Sequence, residues 1–169
     1  MKSDDKSNVL KDKSVLIVDD EMDVLDTLND LLSECIIDRA LSFKEAKKLL
    51  ENHTYDIAVL DIMGVRGYDL LKIADEKNIP AIMLTAHALT KEDLMKSIME
   101  GASYYVPKEK IANIGEFIVD VLEAKEMKKN VWAKWFKSLS NYYDHRFGGT
   151  DWREMEKKFW EEKLKDLDY

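Results

Sequence analysis

Short apolar runs set the frame of this chain: Val15–Val18, Tyr55–Leu60, Ala81–Leu84 and Ser103–Val106, each separated from the next by a longer stretch with helical spacing. An apolar run of that length is too short for a helix and reads as a strand buried on both faces. Ile36–Ala40 is a weaker run of the same kind. Between them, Val24, Leu25, Leu28, Leu31 and Leu32 recur with the period of a helix. Ser42 with Glu45 three residues later forms a capping box in front of Phe43, Ala46, Leu49 and Leu50. Gly64 and Gly67 mark a loop, followed by a helix from about Tyr68 to Lys77. Thr90 caps a helix through Leu94, Met95 and Ile98 that stops at Gly101, and a long helix starts near Ile111. Alternation of this kind predicts an α/β fold: a five-stranded parallel sheet, doubly wound, with helices on both faces.

In such a sheet the ligand site lies outside the carboxyl ends of the strands. Those ends carry Asp19 and Asp20, Asp61, Thr85 and Lys108. Three carboxylates at one sheet edge repel one another unless a cation joins them. A hard divalent ion such as Mg2+ takes oxygen ligands from one or two carboxylates, water and a phosphate. A lysine and a hydroxyl at the same edge can hold the remaining phosphoryl oxygens. Asp61, ending the third strand, is placed to act as the nucleophile and give an acyl phosphate, with Mg2+ and Lys108 opposing the charge that develops. Singly, each residue reads as an ordinary cap or solvated loop residue; the coincidence at four strand ends carries the argument.

The formal net charge is −8, which argues against broad binding to nucleic-acid phosphates. The single cysteine, Cys35, stands among Leu31, Leu32, Ile36 and Ile37 and reads as a small core residue. The polar start of the chain and the lack of a bilayer-length apolar run favour the cytoplasm and no membrane association.

Leu16-Ile-Val-Asp-Asp-Glu21, Val59-Leu-Asp-Ile-Met63, Leu84-Thr-Ala86 and Tyr105-Val-Pro-Lys108 resemble the signature blocks of receiver domains of two-component signalling, over roughly residues 13–125. The resemblance implies a flavodoxin-like fold. It implies that Asp61 accepts a phosphoryl group from a sensor histidine kinase or phosphotransfer protein, and that Asp19, Asp20, Asp61 and the Met63 carbonyl hold Mg2+. Thr85 corresponds to the switch hydroxyl, Lys108 to the family lysine, and Tyr105 to the aromatic that turns inward on activation. Met63 and His87 correspond to the positions that tune dephosphorylation. Such a protein is a phospho-acceptor with slow autodephosphorylation rather than a classical enzyme. The competing reading is a receiver-like interaction or dimerisation module that works without phosphorylation. A phosphate monoester hydrolase ranks last, because Met63 stands where a second acid is needed.

Two features depart from the family pattern. The loop Asp61-Ile-Met-Gly-Val-Arg-Gly67 is short, and Pro107 precedes Lys108 rather than following it. The peptide after Lys108 is therefore expected to be trans. His53 reads as a helix C-terminal cap, and His145 as a residue of the C-terminal arm without a phosphotransfer role.

These readings divide the chain into a flexible N-terminus (1–12), the receiver (13–125) and a helical arm (126–169). In the arm, Val131, Trp132, Trp135, Phe136 and Leu139 repeat at helical spacing. After Phe147-Gly-Gly-Thr150, Asp151 and Glu154 open a helix from Trp152 to about Leu167. The favoured arrangement is a hairpin whose aromatic stripes pack together or back on the receiver. The other is an exposed stripe that binds a partner or a second copy as a homodimer. Because the arm leaves directly from the last receiver helix, phosphorylation is expected to alter its packing.

Overall fold

The computed structural model describes residues 3–86, 90–149 and 161. The elements in order are α1 (Ser3–Leu10), β1 (Ser14–Val18), α2 (Met22–Leu31), β2 (Ile36–Ala40), α3 (Phe43–Asn52), β3 (Ile57–Asp61), α4 (Gly67–Glu76), β4 (Ala81–Thr85), α5 (Lys91–Met99) and β5 (Tyr104–Pro107). A 3-10 turn (Lys108–Asn113), α6 (Ile114–Met127) and α7 (Trp132–Arg146) follow. The strands form one parallel sheet in the order β2-β1-β3-β4-β5. The chain winds outward from β1 in both directions, so the crevice between β1 and β3 is the topological switch point. Every residue of β3 and β4 is buried, which explains their unbroken apolar runs. Edge strand β2 is half-exposed, which is why its pattern is weaker. Helices α3 and α4 pack together, as do α2 and α6.

Local chemistry sets several boundaries. The Ser42 and Thr90 hydroxyls accept from the backbone N–H of Glu45 at 3.2 Å and of Asp93 at 3.0 Å, which satisfies orphan donors at two helix starts. His53 is the C-cap of α3. The last long helix begins at Ile114 rather than near Ile111, because the chain first makes the 3-10 turn after Pro107. No peptide bond among the described residues is cis.

Two segments differ from the sequence expectation. Residues 3–10, assigned to a flexible N-terminus, form α1 and pack on α6. Leu10 is buried and reaches Gly115 of α6, where a Cβ would lie 3.4 Å from Leu10 Cδ1. The half-buried Cys35 thiol donates to the Leu10 carbonyl at 3.4 Å, and burial pushes that thiol up to about 11. The first arm helix, α7, belongs to the receiver core. Lys128, at φ 56, ends α6, and α7 returns to lie along β5 with Trp135 and Tyr143 fully buried. His87, Asp151, Glu154 and the arm helix expected from Trp152 lie outside the described residues, Glu161 excepted.

Candidate functional site

Register brings the strand ends together. Val18 pairs with Leu60, Asp61 with Leu84, and Thr85 with Pro107. Asp19, Asp61 and Lys108 therefore converge at the same edge of the sheet, at the ends of β1, β3 and β5. The Lys108 ammonium lies 2.8 Å from Asp19 Oδ2, 3.4 Å from Asp61 Oδ1 and 3.7 Å from Glu21 Oε1. Asp19, Asp61 and Thr85 are buried. Asp19 Oδ1 accepts from the Glu21 N–H at 2.9 Å, fixing the carboxylate across the start of α2. Asp20 is held from the other side: its carboxylate lies against Gly64, where a Cβ would stand 2.3 Å from Oδ2. Gly64 has φ +83, a conformation that glycine alone adopts without strain. Gly67 lets α4 close on the end of β3, since a Cβ there would be 2.1 Å from the Asp61 carbonyl oxygen.

One ammonium cannot balance this many acids. Burial, and then the charge of Asp19, push the Asp61 carboxyl up to about 7 against the opposing pull of Lys108. Burial likewise raises Asp19. For Lys108 burial works against the charge, but the bond to Asp19 and the fields of Asp61, Asp19 and Glu21 outweigh it and hold the ammonium charged. The carboxylate oxygens of Asp19, Asp20 and Glu21 lie within 4.8 Å of one another. Asp19 Oδ2 is buried and, beyond its ion pair with Lys108, has no well-aligned hydrogen bond among the described residues. Excess negative charge, hard oxygen donors and an undersatisfied buried carboxylate are the chemistry that a divalent cation completes.

The sequence profile described as "Response regulator receiver domain" matches residues 15–118. The chain belongs to the response regulator receiver family. Among solved structures, the receiver is similar to a CheY-like response regulator receiver domain protein from Methanospirillum hungatei, with TM-score 0.63 and 26% identity over 70% of this chain and 99% of that one. A Francisella response regulator 1452 receiver domain gives TM-score 0.60 and 26% identity over 68% of this chain and 99% of that one. Curated relatives include the heme response regulator HssR of Staphylococcus aureus, 37% identical over 99 residues. The two-component response regulator ARR18 of Arabidopsis thaliana is 32% identical over 100 residues. These matches take in 55% and 56% of this chain, but only 43% of HssR and 16% of ARR18.

Of the residues expected at the receiver's site, Asp19, Asp61 and Lys108 meet directly, and Asp20 is near enough to raise Asp61 further. Thr85 ends β4 with Pro107 opposite. Met63 is 71% exposed. Tyr105 is fully buried. Sequence reasoning gave no role to Glu21, the third carboxylate of the cluster, although it directly follows the acid pair. It also gave no reason for Gly64 beyond a loop, because that reason is the tertiary approach of Asp20.

Proposed function

We propose that this receiver accepts a phosphoryl group on Asp61 from a histidine kinase or phosphotransfer protein. The observation that carries this is the buried Asp61 carboxylate at the end of β3, with the Lys108 ammonium 3.4 Å away and the Asp19–Asp20–Glu21 cluster alongside. An Asp61 oxygen forms the new P–O bond as the P–N bond of a phosphohistidine breaks, and the imidazole leaves with its electron pair and takes up a proton. Asp19 and Asp20, with Asp61 and the Met63 carbonyl, are the residues that would hold Mg2+, which when bound neutralises charge on the phosphoryl oxygens. Lys108 opposes the negative charge that accumulates as the phosphoryl group arrives. The Thr85 hydroxyl is the group on β4 to bond a phosphoryl oxygen. Signalling then passes through protein contacts in the cytoplasm, with no nucleic acid or membrane required.

Intact-mass measurement after treatment with acetyl phosphate and Mg2+ tests this. A single phosphoryl adduct is expected on the wild type and none on Asp61→Asn. Absence of any adduct under rapid quenching would replace this reading with a phosphorylation-independent interaction module.

A further inference from the structure

Helix α7 reaches the sheet by reversing the direction of α6. The Trp135 indole N–H donates to the Tyr105 carbonyl at 2.8 Å, and the Tyr143 hydroxyl donates to the same oxygen at 3.4 Å. β5 is an edge strand, so these side chains take the place a further strand would occupy. Tyr143 lies 5.1 Å from Trp135 and 6.1 Å from Tyr105, measured between ring centroids. Near the start of α7 the Lys134 ammonium reaches Asp120 and Glu123 of α6 at 3.7 and 3.6 Å. Further along, Tyr142 has the Lys110 ammonium 5.7 Å from its ring, in the 3-10 turn that precedes α6. The two helices are therefore antiparallel.

The reversal rests on Lys128, Lys129 and Asn130. Lys128 has φ 56 and ψ 37, left-handed backbone that costs a residue other than glycine about tenfold in population. Val131 is already helical, at φ −66 and ψ −24. Neither glycine nor proline interrupts Met127-Lys-Lys-Asn-Val131, so the segment can itself be helical. With Lys128–Asn130 helical, α6 and α7 become one helix from Ile114 to Arg146, about 50 Å long. The apolar phase carries through. Buried Phe117, Val121, Ala124, Val131, Trp135 and Leu139 fall in one row at intervals of three or four, with Lys128 as its polar member.

Such a helix cannot return to its own β5. The Lys125 ammonium donates to the Asn78 carbonyl at 2.8 Å, just ahead of β4, so α6 ends at the amino ends of the strands. An inverted second copy placed beyond that end presents its β5 edge in the direction along which α7 docks. We propose that the β5 edge is an exchange interface, on which two copies of this chain swap α7 to form a dimer. The contacts of α7 with β5 and α6 are kept, now between copies, and each copy loses one strained residue. The acceptor site lies at the opposite, carboxyl ends of the strands, so the exchange does not depend on the phospho-acceptor reading.

The test mixes unlabelled and heavy-isotope-labelled full chains in denaturant and refolds them together, either dilute or at millimolar concentration. The products are sized by light scattering and treated with a carbodiimide, which joins Lys134 to Asp120 or Glu123. Concentrated refolding should give a dimer in which this crosslink joins labelled to unlabelled peptides. Dilute refolding should give a monomer crosslinked only within one label. Lys128→Gly takes the left-handed turn without strain. It should lower the dimer association constant about a hundredfold, tenfold for each of the two hinges. Lys128→Ile, whose β-branched side chain suits that turn less well, should raise it. A dimer crosslinked only within labels, a dimer that Lys128→Gly leaves unchanged, or a monomer at every concentration for wild type and Lys128→Ile alike overturns the exchange.

Discussion

At the carboxyl ends of the strands, Asp19, Glu21 and Asp61 crowd around the Lys108 ammonium with Asp20 alongside, and burial holds Asp61 up to about 7. Along the β5 edge, Trp135, Tyr143 and Tyr105 stack, and two donors converge on one carbonyl. The first region is electrostatically overdrawn and gains from a cation or a proton. The second is apolar and densely packed, and gains nothing from solution conditions. Receivers of this construction keep their instability where chemistry occurs and their stability where the helix docks. Perturbing the two regions should therefore give effects of opposite sign.

The largest expected effect is in the aromatic cap. Trp135→Ala removes a fully buried ring and its 2.8 Å bond to the Tyr105 carbonyl, which keeps the longer bond from Tyr143. We expect a loss of about 3–5 kcal/mol by denaturant unfolding. A loss below about 1 kcal/mol would mean that α7 is not part of the cooperative core.

The acidic cluster should respond the other way. The folded protein holds Asp61 at about 7 against an ordinary 3.8, so the neutral form is favoured by folding. Asp61 therefore costs nothing below the unfolded value, and its cost grows as pH rises towards the folded one. Without divalent cations, Asp61→Asn should be more stable than wild type at pH ~8, by on the order of 3 kcal/mol. That follows from roughly 1.4 kcal/mol per pKa unit, reduced for solvent reaching the cluster. The difference should vanish near pH ~4, the ordinary carboxylate range. An advantage independent of pH would remove electrostatic crowding as the cause. Addition of Mg2+ at pH ~8 should narrow the gap by stabilising wild type.

Gly64→Ala probes the joint between loop and acid pair. A side chain at φ +83 and 2.3 Å from Asp20 Oδ2 should cost about 1–3 kcal/mol in strain, and Mg2+ affinity should fall because Asp20 must move. Unchanged affinity by calorimetry would show that Asp20 is not a ligand. The smallest effect is in the cap again. Tyr143→Phe removes the long 3.4 Å bond and should cost about 0.5–1.5 kcal/mol, read from the thermal midpoint.

Much of this layout was legible in the sequence because it rests on local chemistry. β3 and β4 read as strands because both faces are covered. The Ser42 and Thr90 caps were legible because cap and donor are three residues apart. Asp19, Asp61 and Lys108 could be grouped because a parallel sheet gathers its strand ends. What escaped depends on distant partners. The polar α1 holds through Leu10 against α6 and Gly115. The period of α7 announced an amphipathic helix, but nothing local says that its ring face meets Tyr105. The role of Gly64 depends on Asp20, far away in sequence, and the ion pair of Glu21 depends on Lys108, which follows β5.

The bond from Trp135 to the Tyr105 carbonyl has a further consequence, for colloidal behaviour. A parallel sheet has two open rims, and each can template a strand from another molecule. On the β2 rim the chain sets Asp38 and Arg39 beside the 60% exposed Ile36. On the β5 rim, whose residues are all buried, the guard is α7. Whatever lifts α7 also bares a strand edge and a stack of rings, so a stock of this protein with α7 detached should be far more prone to aggregate than its formal charge of −8 suggests.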